Sequence, residues 1–137
     1  MAKLIMIDDN PIEHLIMKKM FERYAIFPDA VHSLDGRSVI SFLKEHLKII
    51  EALPDLIFLD LYMPEYSGWD FLEDLKLLYP YLAKPIPVYI VSSSIDPLDH
   101  TRASRFSFLK SFVVKPLSKE SLTSINFTAE QSRQSYI

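Results

Sequence analysis

The chain has 137 residues, enough to bury one core without metal or disulfide staples, so one domain spanning residues 1–137 is expected. An apolar fraction of 49%, a charged fraction of 24% and a net charge of only -3 exclude a largely disordered chain and a surface-wide nucleic-acid footprint. Cysteine is absent, which excludes disulfides and thiolate metal sites, and no apolar run approaches the roughly 18 residues of a membrane span or forms a signal-peptide core, so a cytoplasmic location is expected.

In chain order, Leu4-Ile5-Met6-Ile7 is a continuous apolar run of the kind a strand covered on both faces needs, and it stops in Asp8-Asp9. Asn10-Pro11 reads as N-cap and first helical residue, with Ile12, Leu15, Ile16, Met20 and Tyr24 predicted on the inner face. Residues 30–32 predict a short strand. Asp35 then caps a helix with Val39, Phe42, Leu43, Leu47 and Ile50 at helical spacing. Pro54 precedes the strand Leu56-Ile57-Phe58-Leu59, which ends on a bare carboxylate, Asp60. Pro64 and Gly68 mark a loop before a helix with Phe71, Leu72, Leu75, Leu78 and Tyr79 inward, and residues 79–81 predict a solvent-facing turn.

Val88-Tyr89-Ile90-Val91 predicts a fourth strand, ending in Ser92-Ser93-Ser94. Ser94 or Asp96 caps a helix reaching about Phe108. Phe112-Val113-Val114 predicts a fifth strand, closed by Lys115-Pro116. Ser118 caps a last helix with Leu122, Ile125 and Ala129 inward, weakened by its many Ser, Thr and Asn residues. Five strand-helix units argue for a doubly wound parallel sheet with helices on both faces.

In such a sheet, ligands bind outside the carboxyl ends of the strands. The residues standing there are Asp8, Asp9, Asp60, Ser92 and Lys115, brought to one pocket from four separate places in the sequence. Two like charges about 4 Å apart repel by roughly 4 kcal/mol at an effective dielectric near 20, so three carboxylates need positive partners. Lys115 is one. A hard divalent cation, Mg2+ or Mn2+, supplies the rest, and the set suits phosphoryl transfer with Asp60 as the nucleophile.

These residues carry a resemblance. The acid pair Asp8-Asp9, Asp60 in LDLYMPEYSG, Ser92 in VSSS and Lys115-Pro116 in FVVKP resemble the receiver domain of two-component response regulators of the chemotaxis type, over about residues 3–129. The resemblance implies a flavodoxin-like (βα)5 fold with strand order 2-1-3-4-5 and a phosphoacceptor at Asp60. It implies Mg2+ held by Asp9, Asp60 and the Tyr62 backbone carbonyl directly and by Asp8 through water. It further implies Lys115 on a phosphoryl oxygen, a cis Lys115-Pro116 peptide, and a switch made of Ser92 and Phe112. The implied partners are a sensor histidine kinase or histidine phosphotransfer protein and a downstream protein, with a homodimer through the fourth helix, fifth strand and fifth helix as one arrangement. No direct nucleic-acid partner and no membrane partner is expected. With residues 130–137 a short tail, a stand-alone receiver is expected.

Some residues depart from the family pattern. Phe112 stands where tyrosine is commoner, and RASRFSFLKSF lacks an Ala-Gly step before the fifth strand. Tyr62 and Ser94, two residues after Asp60 and Ser92, occupy positions that modulate phosphate lifetime, and Tyr62 is expected to screen the acyl phosphate from water. An aspartate-nucleophile phosphatase would carry an acid at Tyr62, and a phosphorylation-independent scaffold would have no use for the acid pocket. Lys84-Pro85 precedes its strand and reads as a solvated lysine at the opposite rim. His14, His32, His46 and His100 lack metal-ligand spacing and read as surface or half-buried, Trp69 as core or partner-facing, and Gly68 as supplying a loop or helix-start conformation.

Overall fold

The apolar runs at 4–7, 56–59 and 88–91 become strands because each has something to bury on both sides. In the computed structural model, which describes residues 1–135, β1 (Leu4–Ile7), β2 (Val31–Ser33), β3 (Leu56–Leu59), β4 (Val88–Ser92) and β5 (Leu109–Val114) pair in parallel in the order β2-β1-β3-β4-β5. Side chains alternate across each strand. Ile5, Ile7, Ile57, Leu59, Val88 and Ile90 enter one core, and Leu4, Met6, Leu56, Phe58, Tyr89 and Val91 enter the other. The helices α2 (Gly36–Glu45), α3 (Gly68–Leu78) and α4 (Pro97–Ala103) close the first core with Val39, Leu43, Phe71, Leu72, Leu75 and Ala103. On the other face α1 (Pro11–Tyr24) and α5 (Lys119–Gln134) contribute Met17, Phe21, Leu122, Ile125 and Ala129. This is the flavodoxin-like doubly wound arrangement. Burying a side chain of this size stabilises by about 1.5–3 kcal/mol, so the sheet is a rigid frame for whatever its rim carries.

Caps set where the helices begin. The side chains of Asn10, Asp35, Asp96 and Ser118 accept from the backbone N–H groups of Ile12, Arg37, Leu98 and Ser121. Asp96, not Ser94, is therefore the cap of α4. Ser67 and Asp70 form a reciprocal capping box at α3 that the sequence reading did not anticipate.

Several expected elements are placed differently. The apolar face of α1 is not Ile12, Leu15 and Ile16: Ile12 is 64% exposed, and the inward stripe is His14, Met17 and Phe21, with Met20 and Tyr24 half-buried. The Asn10 cap and the tie of His14 to the Asp8 backbone fix that rotation of the helix. Helix α2 stops at Glu45, so Leu47 and Ile50 lie beyond it, and α4 ends at Ala103 rather than near Phe108. There Phe106 and Phe108 drop into the core from an irregular segment, and β5 begins at Leu109. The expected tail is helical as far as Gln134, while its last residues, 136 and 137, lie outside the described residues. Residues 79–81 form a 3-10 turn in which Tyr79 stacks on Phe108 and bonds to both backbone groups of Ile86, leaving Tyr81 exposed.

Candidate functional site

The hydrogen-bond ladder runs one residue past the strands and fixes the carboxylates. The Asp8 N–H donates to the Ser33 carbonyl (3.1 Å) and the Asp60 N–H to the Ile7 carbonyl (3.0 Å), so both residues continue the pairing of the central strands. On the other side of β4 the Lys115 N–H donates to the Ser92 carbonyl (2.8 Å). Lys115-Pro116 is cis, as the sequence resemblance implies. Gly68 has an ordinary negative φ, so its role is not conformational freedom. A Cβ there would lie 2.4 Å from the Asp60 carbonyl oxygen, and the Gly68 N–H donates to Leu61 O at 2.8 Å. Only glycine lets α3 start against the backbone that carries Asp60.

The site brings three carboxylates together. Oxygens of Asp8, Asp9 and Asp60 lie within 4.8 Å of one another; Asp8 is buried at 2% exposure, Asp60 is half-buried and Asp9 is exposed. Lys115 Nζ bonds to Asp8 Oδ2 (3.1 Å) and lies 3.7 Å from Glu13, while Asp8 Oδ1 accepts from the Asn10 N–H (2.9 Å). Glu13 is a neighbour that only the helix placement brings in. Burial works to lower the Lys115 ammonium, but Asp8, then Asp60 and Glu13, outweigh it and hold it above its ordinary value. Burial pushes the Asp60 carboxyl up to about 6; Asp8 and Asp9 add to that, and Lys115 and the Leu61 backbone N–H oppose it. The pocket is thus under-neutralised. Three hard oxygen donors in van der Waals reach of a common centre, with one ammonium committed to Asp8, fit a small divalent cation.

Ser92, 1% exposed, stands at the end of β4 beside Asp60's strand, and its Oγ accepts from the Ser94 N–H (3.1 Å). The expected screening residue Tyr62 is 58% exposed, but its hydroxyl donates to Asp99 on α4, which also accepts from Ser94 Oγ (2.7 Å). The hydrogen bond to Asp99 raises the Tyr62 phenol, and the bonds from Tyr62 and Ser94 hold Asp99 below its usual range. Phe112 is half-buried and stacks on His100 with ring centres 3.7 Å apart. Arg102 lies over the buried Trp69 ring at 4.1 Å, tying α4 to α3. Asp99, His100 and Arg102 all sit on α4, and no local pattern marks them, because each meets a residue more than ten positions away.

Two further expectations fail. Lys84 is not solvated: it is 8% exposed and pairs with Asp55 at 2.7 Å. His14 is not surface or half-buried but 5% exposed; its Nε2–H donates to the Asp8 carbonyl (2.8 Å), which leaves Nδ1 to accept from His32 Nδ1–H (2.7 Å). Burial, with His14 and then Lys18 adding to it, lowers His32 to about 4.

The sequence model of the family described as response regulator receiver domain matches residues 4–126. The chain is 28% identical over 119 residues to the probable methanogenesis regulatory protein FilR2 of Methanothrix harundinacea, covering 87% of this chain and 75% of that protein. It is 30% identical over 120 residues to the two-component response regulator ORR1 of Oryza sativa, covering 85% of this chain and only half of that one. Among solved structures, a two component response regulator from Cytophaga hutchinsonii matches with a TM-score of 0.81 at 23% identity, covering 94% of this chain and 96% of that one, a likeness of fold.

Proposed function

Because this chain belongs to the response regulator receiver family of two-component systems, we propose that Asp60 is its phosphoacceptor and that the pocket of Asp8, Asp9, Ser92 and Lys115 is the machinery that loads it. Receiver domains take phosphoryl groups from histidine kinases or phosphotransfer proteins and are signalling domains. The observation that carries the assignment to these residues is the convergence of three carboxylates at the rim of β1 and β3, with the Lys115 ammonium on Asp8.

An Asp60 carboxylate oxygen attacks the donor's phosphorus, the bond from phosphorus to the donor breaks, and its electron pair leaves with the donor. Asp60 is ionised for this at neutral pH, since its carboxyl is raised only to about 6. Asp9 and Asp60, with the Tyr62 carbonyl, would hold Mg2+ directly and Asp8 through water; bound there, the cation supplies charge neutralisation for the incoming phosphoryl oxygens. Lys115 is kept protonated by Asp8 and Asp60 and reaches a phosphoryl oxygen as a fixed positive charge. Ser92 turns its hydroxyl from the Ser94 N–H toward the phosphoryl group, and Phe112 follows.

The added charge biases the surface of α4, β5 and α5 toward a partner protein or a second copy. Leu98 and Phe127 are large apolar side chains exposed there. We read residues 1–137 as one receiver domain working in the cytoplasm; among the described residues no helix is long and apolar enough to cross a membrane. Intact-mass measurement after incubation with Mg2+ and a small-molecule phosphodonor tests the reading. One phosphoryl adduct is expected, lost with chelator and lost in Asp60→Ala. An adduct that persists in Asp60→Ala, or none where a known receiver is labelled in parallel, overturns it.

A further inference from the structure

The expected screen over the phosphoryl site is a single exposed side chain. Left alone, a Tyr62 ring that is 58% exposed has no reason to hold one direction, since two rotatable bonds let it swing into water. It is not left alone. Its hydroxyl donates to Asp99, and Asp99 Oδ2 also receives Ser94 Oγ at 2.7 Å. Asp60 follows β3 and Ser92 ends the adjacent β4, so the bond from Tyr62 in the loop after β3 to Asp99 on the helix after β4 joins the two segments that carry those residues.

The anchor is itself held. Asp96 caps α4 through the Leu98 N–H (2.9 Å), and the Asp99 N–H donates to the Asp96 carbonyl (3.1 Å). His100, beside Asp99, stacks on Phe112 of β5, and Arg102 covers Trp69 of α3, so the helix carrying Asp99 is fixed to its neighbours on both sides. Ser94 gives Asp99 its hydroxyl and takes the Asp96 N–H (3.2 Å), while its own N–H donates to Ser92 Oγ (3.1 Å). Ser92, Ser94, Asp99 and Tyr62 form one connected chain of hydrogen bonds.

We propose that Asp99 is a positioning residue that pins the Tyr62 ring across the mouth of the acid pocket and so slows the attack of water on phosphorylated Asp60. This rests on the reading of Asp60 as the phosphoacceptor. In that loss step a water oxygen bonds to phosphorus, the bond from phosphorus to the Asp60 oxygen breaks with its electron pair returning to the carboxylate, and a proton passes to solvent as inorganic phosphate leaves. Asp99 touches none of these atoms. It acts through the direction in which it holds Tyr62.

The test follows the decay of the phosphoryl adduct, after the donor is removed, in the full chain and in Tyr62→Phe, Asp99→Ala, Asp99→Asn and the double variant Tyr62→Phe/Asp99→Ala. Tyr62→Phe and Asp99→Ala are each expected to shorten the lifetime by about threefold to tenfold, the range that loss of one net hydrogen bond spans. The double variant is expected to decay no faster than either single one, because both remove the same bond. Asp99→Asn keeps an acceptor oxygen for the phenol and is expected to restore most of the lifetime, which a merely structural role for Asp99 would not produce. Melting temperatures are expected to fall by only a few degrees, leaving every variant folded at the assay temperature. An unchanged lifetime in Asp99→Ala, or single effects that multiply in the double variant, overturns the proposal while leaving the phosphoacceptor intact. Failure of the unmodified chain to take an Asp60-dependent adduct overturns both.

Discussion

Strand β3 carries an aspartate at each end, and the two have opposite surroundings. Asp55, just before the strand, receives Lys84 Nζ at 2.7 Å and the Lys3 N–H at 2.6 Å, with Arg133 at 3.7 Å. Asp60, just after it, forms no ion pair among the described residues and faces Asp8 and Asp9. One rim is neutralised and closed, with both side chains of the Asp55–Lys84 pair only 7% exposed. The other keeps an excess of negative charge on a frame equally rigid. A paired buried carboxylate is a structural fixture, whereas the one held among its own kind is the place we propose for a cation and a phosphoryl group.

The largest contrast is expected in chemistry. Asp60→Ala removes labelling by a phosphodonor entirely, and Asp55→Asn leaves it intact; equal loss in both, read by intact mass, would erase the distinction between the rims. Stability is expected to run the other way. Asp55→Asn strands Lys84 in the interior and costs about 3 kcal/mol in a urea denaturation, the range for breaking a buried pair from one side.

Asp60→Asn is expected to stabilise the metal-free protein at pH 7.5 by on the order of 1 kcal/mol, screening of a half-buried group included. The sign follows from the raised carboxyl. Its folded value, about 6, lies above the ordinary 3.8, so the stability Asp60 contributes is fully present below pH 3.8 and is lost as pH rises through about 6. The gain from Asp60→Asn should therefore vanish in denaturation at pH 3.5. A second pH effect belongs to His32, depressed to about 4 from 6.5. Its contribution is present above pH 6.5 and lost as pH falls through about 4, so the protein should lose stability over that window more steeply than a His32→Gln variant, as thermal melts across the window would record.

The pocket was legible because its residues announce themselves one at a time: an apolar run that ends in Asp8-Asp9, in Asp60 or in Ser92, and a strand closed by Lys115-Pro116. Once the strands are placed, the convergence follows from the fold. Residues acting through distant contacts were not legible. Lys84 meets Asp55 across 29 positions and Tyr62 meets Asp99 across 37, and nothing local in either segment names the partner. The rotation of α1 was misread for a related reason. Its periodicity admits two apolar stripes, and the buried one is chosen by His14 reaching the Asp8 carbonyl, a polar contact that an apolar pattern does not register. Gly68 was seen, but the cause is a close approach to the Asp60 carbonyl rather than a special φ, which requires the folded backbone to find.

The most direct test of the difference between the rims is a Mg2+ titration followed by thermal melting at pH 7.5, on the unmodified chain beside Asp9→Asn, Asp60→Asn and Asp55→Asn. Cation binding to the folded state alone raises the Tm with saturation. The Tm of the unmodified chain and of Asp55→Asn should rise together, with Asp9→Asn and Asp60→Asn nearly flat. A Tm insensitive to Mg2+ in the unmodified chain, or an equal rise in all four proteins, would contradict the claim that the charge at Asp8, Asp9 and Asp60 is kept for a cation.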